Sequence, residues 1–310
     1  MIICPGWKPF VRSSRSANPV RGISAWLNTP GGESIDLDDL RGRVVLVDFW
    51  AYSCINCQRS IPHVVAWDEA YRDAGLTVIG VHSPEYAFEK EARNVAAGAD
   101  AFGIEYPVAL DYSLSTWTNY RNRYWPAHYL IDADGTVRHV AFGEGHYDRT
   151  ERLIRELLRS ADPAVALPEP TDVADETPDA GALTAETFLG TTKQVTFAGD
   201  EPYRRSTSTF ALPEAQPADS FALEGEWSLE TQSIAPVADG AIRLRYTAAE
   251  VRMVLSGTGT IVVHEGGGTR RIDVGGVPRS YVVHDGSDVG DGELVVEVPT
   301  GVTAYSFTFG

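Results

Sequence analysis

An unbroken apolar run is the feature that most limits how this chain can fold. VVLVDFW, from Val44 to Trp50, has one polar member among its seven residues. A strand with one face in solvent would alternate apolar and polar side chains, so this run predicts a strand buried on both faces. A second such run, LTVIGVH from Leu76 to His82, follows a segment of helical pattern. Buried strands joined by a helix predict an α/β domain.

The pattern of elements changes along the chain. Residues 21–160 alternate strands with helical segments and end in a hairpin and a helix, which predicts an α/β domain with a mixed sheet. Residues 161–183 hold four prolines and six acids without a Lys, Arg or aromatic residue. This composition predicts an extended acidic linker, with a long ordered surface loop as the alternative. Residues 184–310 read as short strands and predict an all-β jelly-roll sandwich, while residues 1–20 are expected to form a flexible tail.

The motif Cys54-Ile55-Asn56-Cys57 comes directly after the buried strand and begins a helical segment. Unpaired N–H groups and the helix dipole at a helix N-terminus favour a thiolate over a thiol, so Cys54 is predicted to be the activated nucleophile. The two-residue spacer lets Cys57 reach the Cys54 sulfur and close a disulfide. The pair therefore predicts dithiol chemistry, in which Cys54 attacks a substrate disulfide and Cys57 resolves the mixed disulfide.

Other residues are predicted to serve this dithiol. Asp48 is a carboxylate in an otherwise apolar strand and is a candidate acceptor for the proton that Cys57 loses; a strand-end acid bonded to backbone or water is the alternative. Trp125-Pro126 precedes the strand AHYLID, where a cis proline would lie against the sulfurs and the Trp125 backbone would pair with an extended substrate. A trans proline at a strand entry is the alternative there. The residues predicted to contact substrate are Trp125, Trp50 and Tyr52.

Composition and spacing argue against several other functions. The formal net charge of −17 leaves no electrostatic footprint for nucleic acid. A zinc site needs two further Cys or His ligands at motif spacing, and Cys4 stands alone, so no metal is predicted. No run approaches the roughly 20 apolar residues that span a bilayer, and no signal peptide is visible. If the chain is complete as given, this predicts a cytoplasmic location.

The strings WAYSCINC and Trp125-Pro126, with Pro62, resemble the thioredoxin fold in the TlpA/ResA-like branch of thiol-disulfide oxidoreductases. FWAYSCINCQRSIPHVV, GVHSPEYAFEK and LTAETFLG resemble a subgroup whose thioredoxin-like domain is followed by a β-sandwich similar to carbohydrate-binding modules. The resemblance implies that Cys54 is the nucleophile, Cys57 the resolving cysteine and Pro126 the cis-proline. It implies no cofactor beyond the redox-active Cys54–Cys57 disulfide.

The resemblance also implies partners and a location. Protein thiols and disulfides are the expected substrates, an electron-donating membrane protein is the expected redox partner, and the location is expected to be extracytoplasmic. One alternative is a thiol peroxidase of peroxiredoxin type, although the residues near Cys54 lack the Pro-x-x-x-Thr/Ser-x-x-Cys pattern of such enzymes. Another alternative is a carbohydrate-targeting module whose redox domain is vestigial.

Aromatic residues of the second domain are candidates for stacking on a sugar. Trp227 and Tyr246 are the two predicted carbohydrate-binding residues. Because an aromatic residue in an alternating strand belongs to the core more often than to a binding surface, a scaffold or docking domain is the alternative.

Overall fold

The computed structural model describes residues 16–178, 183–193 and 195–310. They divide into two compact units with the boundary after Thr177. Of the predicted N-terminal tail, residues 1–15 lie outside the described residues. The backbone N–H of Ala17 donates to the Gly135 carbonyl at 2.8 Å, and the Asn119 side chain donates to the Pro19 carbonyl at 2.8 Å. The prediction of a flexible tail is therefore wrong for residues 16–19, which are bonded to the first unit.

The first unit is built on a six-stranded mixed sheet in the order β1-β4-β3-β2-β5-β6. Its strands are β1 (Trp26–Leu27), β2 (Val44–Trp50), β3 (Leu76–His82), β4 (Val108–Leu110), β5 (Ala127–Ile131) and β6 (Val137–Phe142). β2, β3 and β4 are parallel, whereas β1, β5 and β6 pair antiparallel with their neighbours. Every residue of β2 is buried, which confirms the interpretation of the apolar run.

Helices connect these strands. In the described part of the first unit they are α1 (Ile55–Tyr71), α2 (Ala92–Ala101), α3 (Ser115–Asn119) and α4 (Tyr147–Ala161). A 3₁₀ turn, Ala87–Lys90, precedes α2. α1 begins immediately after Cys54, so the cysteine pair lies at its N-terminus. Among the described residues, no helix combines the length and the apolar character needed to cross a membrane.

Residues 162–177 follow α4 without regular secondary structure and pack on the first unit. The Thr171 N–H donates to the Glu151 carboxylate at 2.7 Å, and the Arg155 guanidinium donates to the Pro168 carbonyl at 2.6 Å. Most of the predicted linker is therefore an ordered segment, which is the alternative that its length left open. Residues 179–182 of that linker lie outside the described residues.

The second unit is all-β, as predicted. Its strands are β7 (Thr187–Phe188), β8 (Ser206–Phe210), β9 (Ser220–Leu229), β10 (Ile234–Pro236), β11 (Gly240–Gly257), β12 (Gly259–Glu265), β13 (Gly268–Val274), β14 (Arg279–Val298) and β15 (Val302–Phe309). β11 pairs with β9 through its first half and with β15 through its second half. Register shifts after Ala248 and Val251 bend this long strand, so the sheet closes on itself in a barrel-like form.

Candidate active site

The two cysteines occupy the first turn of α1. Cys54 is the N-cap residue, and its carbonyl accepts the first helical hydrogen bond from the Gln58 N–H at 3.0 Å. The turn is tight, because the Cys54 N–H donates back to the Ala51 carbonyl at 3.3 Å. Cys54 is half-buried and Cys57 is fully buried, and both are free thiols. One sulfur is therefore reachable from solvent, and the other lies behind it.

Burial raises the pKa of the Cys57 thiol well above its usual value. The hydrogen bond with Cys54 and the negative charge of Asp48 raise this pKa further. Cys57 is therefore held as a thiol at neutral pH. Because the thiolate is the nucleophile in disulfide exchange, Cys57 needs a base that removes its proton before it can attack.

Asp48 lies in the middle of β2 and is 1% exposed. Within the described residues, neither of its carboxylate oxygens has a hydrogen-bond partner of good geometry. The nearest cationic candidate is His128 on β5, whose Nε2 lies 3.3 Å from Asp48 Oδ1. The Asp48 charge reaches Cys57, since it contributes to the raised pKa of that thiol. A base role for Asp48 towards Cys57 therefore stays a prediction, and its buried position in β2 is compatible with that role.

His128 belongs to a buried polar cluster that the sequence analysis missed. Its Nε2 is 3.3 Å from the Ser60 hydroxyl as well as from Asp48. His128 is a polar residue in the apolar strand AHYLI, the same signal that singled out Asp48 in β2.

A second buried carboxylate braces the loop before Cys54. Glu89 is fully buried and accepts from the Ser53 hydroxyl at 2.8 Å and from the Ser53 N–H at 3.2 Å. Its other oxygen accepts from the N–H groups of Glu85 at 2.6 Å and Tyr86 at 3.1 Å. Burial, followed by the charge of Glu85, raises the pKa of Glu89 to about 7. No sequence pattern pointed to Glu89, because acids at the start of a helical segment are usually solvated.

An ion pair joins the first turn of α1 to the loop after β6. The Arg59 guanidinium binds the Glu144 carboxylate through two hydrogen bonds of 2.7 and 2.9 Å. The side chains are only 9% and 11% exposed. Arg59 also donates to the Asn56 side chain at 3.1 Å. Arg59 therefore connects Asn56, one of the two residues between the cysteines, to Glu144 in the loop after β6.

Pro126 precedes β5 and follows a cis peptide bond from Trp125. Phe49 pairs with Ala127 in the sheet, so the register places Pro126 next to the C-terminal end of β2, where the chain turns towards Cys54. The Trp125 indole N–H donates to the Ser83 carbonyl at 2.9 Å, and its ring lies 4.1 Å from that of Trp117. Trp125 is half-buried, so one part of it remains accessible beside the dithiol.

The prediction that Trp50 and Tyr52 contact substrate is corrected by their burial, at 0% and 3% exposure. Trp50 ends a strand that is buried on both faces, and its indole fits there because Gly80 on β3 has no side chain at that point. Tyr52 stacks on His82 at 5.8 Å and its backbone N–H donates to the His82 ring at 3.4 Å. Both aromatic residues belong to the buried packing around the segment that connects β2 to Cys54. Trp50 is therefore a core residue.

The predicted sugar-stacking residues are also buried. Trp227 is fully buried and its indole donates to the Glu224 carbonyl at 2.9 Å. Tyr246 is 3% exposed and its hydroxyl donates to Glu265 at 2.5 Å. A ring with no accessible face cannot stack on a sugar, so the structure corrects this assignment for both residues. The alternation of their strands, which indicated a core position, was the better guide.

Metal ligation was tested over the same described ranges. Among them, no group of three or more His, Cys, Asp or Glu side chains is arranged to hold a metal ion.

Each part of the chain is similar to proteins of known families. Residues 23–140 match the AhpC/TSA family, and residues 184–310 match the family described as "Thioredoxin like C-terminal domain". Protein DipZ of Mycobacterium tuberculosis is 52% identical over 310 residues, which are 99% of this chain and 44% of DipZ. The chain thus spans less than half the length of the DipZ relatives that it matches.

Other relatives match a smaller part of the chain. The thiol-disulfide oxidoreductase ResA of Halalkalibacterium halodurans is 29% identical over 132 residues, covering 43% of this chain and 70% of ResA. A solved structure described as a thioredoxin-like protein in the oxidized form is 27% identical, with a TM-score of 0.43. It covers 47% of this chain and 97% of its own.

Proposed function

We propose that this chain is a thiol-disulfide oxidoreductase that exchanges disulfides with protein partners through Cys54 and Cys57, in line with its match to the AhpC/TSA family and its similarity to ResA and YkuV. The observation that carries the proposal is the difference in exposure between the two cysteines. Cys54 is half-buried at the N-terminus of α1, and Cys57 lies fully buried in the same helical turn. A partner disulfide can meet only the first sulfur, and only the second can resolve the product.

The reaction follows from this arrangement. The Cys54 thiolate attacks one sulfur of a partner disulfide, the partner S–S bond breaks, and the released thiolate takes a proton from water. Cys57 then gives its proton to the Asp48 carboxylate and attacks Cys54 Sγ. The second partner thiolate leaves, the Cys54–Cys57 disulfide forms, and two electrons have passed to the partner. A dithiol of an electron-donating protein would reduce the disulfide for another cycle.

The activity is tested by reduction of insulin disulfides with a chemical dithiol as the electron source. Cys54→Ser is expected to abolish turnover, because it removes the attacking sulfur. Cys57→Ser is expected to abolish turnover as well, because the mixed disulfide is no longer resolved. Full activity of the Cys54→Ser/Cys57→Ser double variant would refute the proposal.

The proposal extends to partners and location. We take protein thiols and disulfides as substrates, a membrane protein as the electron donor, and an extracytoplasmic compartment as the place of action, in line with the relatedness to DipZ. For the second unit we favour a scaffold or docking role over sugar binding, since Trp227 and Tyr246 are buried. Pull-down with the Cys57→Ser variant, followed by reductive elution, would identify the proteins that it captures.

Thiol peroxidase activity is the alternative that has to be distinguished from disulfide exchange. The position of Cys54 and Cys57 in one turn at the N-terminus of α1 supports an internal dithiol instead. The test is the rate at which hydrogen peroxide oxidises Cys54 in the reduced protein. A rate close to that of a free thiol is expected, whereas a rate that is higher by orders of magnitude would favour the peroxidase.

A further inference from the structure

We propose that His128 is a positioning residue that shares with Asp48 the proton released by Cys57, and so governs resolution of the mixed disulfide. The inference rests on the proposed function and concerns its second step. It assigns a role to a side chain on β5 that is not adjacent in sequence to either cysteine.

Of the two residues that pair with Asp48 in the sheet, one has a side chain that can exchange a proton with the carboxylate. β2 lies between β3 and β5, and Asp48 pairs with Gly80 on one side and with His128 on the other. Gly80 has no side chain, and a Cβ added there would lie within 3.0 Å of Trp50 and Tyr106. Directly opposed residues of paired strands project to the same face of the sheet. The imidazole of His128 is therefore the side chain that the two neighbouring strands offer to the carboxylate.

The two groups are in contact and are both shielded from water. Asp48 Oδ1 and His128 Nε2 are 3.3 Å apart, at 1% and 2% exposure of the side chains. Burying a carboxylate without a donor is costly, and a proton placed between these atoms would supply the missing hydrogen bond. The same Nε2 is 3.3 Å from the Ser60 hydroxyl. Ser60 can donate to the neutral imidazole and turn away when Nε2 carries a proton.

Other titratable groups around the pair do not compete for this task. His63 on α1 and His139 on β6 feel the charge of His128, and burial lowers the pKa of both. They are therefore neutral at neutral pH. The Tyr106 hydroxyl lies on the β4 side of Asp48, and burial followed by the Asp48 charge raises its pKa well above the usual value. Tyr106 stays protonated, so it cannot take up a proton.

The proton balance of the step is simple. Cys57 loses its proton to Asp48 as its sulfur bonds to Cys54, and the released partner thiolate carries the electron pair of the broken S–S bond. The proton on Asp48 passes to His128 Nε2, which restores the carboxylate and leaves an imidazolium beside it. No further oxidant or reductant takes part. When Cys57 is reduced again, the proton returns by the same route.

Reaction with 5,5′-dithiobis(2-nitrobenzoate) separates the two steps in one experiment. In a Cys4→Ser background, attack by Cys54 releases the first coloured thiolate and resolution by Cys57 releases the second. His128→Leu is expected to slow the second phase by about tenfold at pH 7 and to leave the first phase unchanged. Because the variant lacks the titratable partner of Asp48, the pH profile of the second phase should also differ from that of the wild type.

Matched variants make the assignment specific. His63→Gln removes an equally buried imidazole that does not contact Asp48, and it should leave the second phase unchanged. His128→Gln keeps a donor near Asp48 and should fall between wild type and His128→Leu; it also provides the measurement if His128→Leu does not fold. In the Asp48→Asn background, His128→Gln should add no further slowing, since the two residues act as one unit.

The assay distinguishes failure of the proposed function from failure of the role assigned to His128. If the Cys4→Ser protein releases only one equivalent of thiolate, the dithiol function itself is wrong. If it releases two equivalents and the His128 variants keep the wild-type pH profile, or if their effects add to that of Asp48→Asn, the role of His128 is overturned and the proposed function stands.

Discussion

At the residue scale, Asp48 is a buried carboxylate, and among the described residues the His128 imidazole lies 3.3 Å from its Oδ1. Removing its charge without changing its shape should relieve the cost of burial. We expect Asp48→Asn to raise the free energy of unfolding at pH 7 by about 1–2 kcal/mol while it slows resolution. Urea unfolding and the two-phase thiolate assay measure the two effects. A variant that is less stable and equally fast would show that Asp48 serves packing rather than catalysis.

The titration of Glu89 is expected to make the free energy of unfolding depend on pH. Its pKa is raised from 4.5 to about 7 by burial, so the folded state holds a proton that the unfolded state loses. The resulting stabilisation is complete below about pH 4.5 and is lost as the pH rises through about 7. We expect the free energy of unfolding to fall by about 3 kcal/mol across this window.

Glu89→Gln should flatten this dependence, because the amide does not titrate. Glu91→Gln is the control, since Glu91 is exposed and two residues away. Urea titrations at pH 5, 6, 7 and 8 compare the three proteins. An equally steep fall in the Glu89→Gln variant would assign the pH dependence to another group.

Single residues differ in how far the sequence could reveal them. Cys54, Cys57 and Asp48 could be found because each has an unusual residue type for its place, at a helix start or in an apolar strand. Glu89 and Ser60 could not be found, because their roles come from contacts with segments distant in the chain. Exposure was the least predictable property, as Trp50 and Tyr52 illustrate.

At the scale of elements, the Arg59–Glu144 pair fastens α1 to the loop after β6. Breaking a pair that is this well shielded leaves a guanidinium without its counter-charge. We expect Glu144→Gln to lower the free energy of unfolding by about 2–3 kcal/mol. Asp38→Asn is the control, because the Asp38–Arg41 pair is 80% and 48% exposed and should change stability by less than about 1 kcal/mol.

The comparison is made by chemical denaturation of both variants. Equal effects of Glu144→Gln and Asp38→Asn would mean that burial adds nothing to the pair at the active site. Because Arg59 also holds Asn56, a loss of insulin reduction beyond the loss of stability would further link this pair to the dithiol.

Strand boundaries of the second unit were harder to predict than strand type. The sequence offers AIRLRY and VRMVLSG as two strands, and the structure joins them as β11. Asp285-Gly286 and Asp291-Gly292 have turn chemistry, yet both lie within β14. Long-range pairing along β11 extends these strands through local turn signals, and such pairing cannot be read from a short window of sequence.

At the scale of the whole molecule, the chain has two compact units. Trp227 is fully buried in the core of the second unit. We expect Trp227→Ala to destabilise that unit by about 3–5 kcal/mol and to leave the dithiol reaction unchanged at a temperature where the protein is folded. Calorimetry and insulin reduction test both parts. Unchanged stability with a loss of polysaccharide binding would restore the sugar-binding assignment.

The most direct test of the account is to trap the mixed disulfide and locate it by mass spectrometry. The Cys57→Ser variant should hold one equivalent of a disulfide-linked substrate peptide on Cys54, and wild type should release it and form the Cys54–Cys57 disulfide. With Cys4→Ser present in all three proteins, the Cys54→Ser variant should capture none, because its remaining sulfur, that of Cys57, is buried. A peptide found on Cys57, or no peptide on Cys54, would contradict the central claim that an accessible sulfur attacks and a buried one resolves.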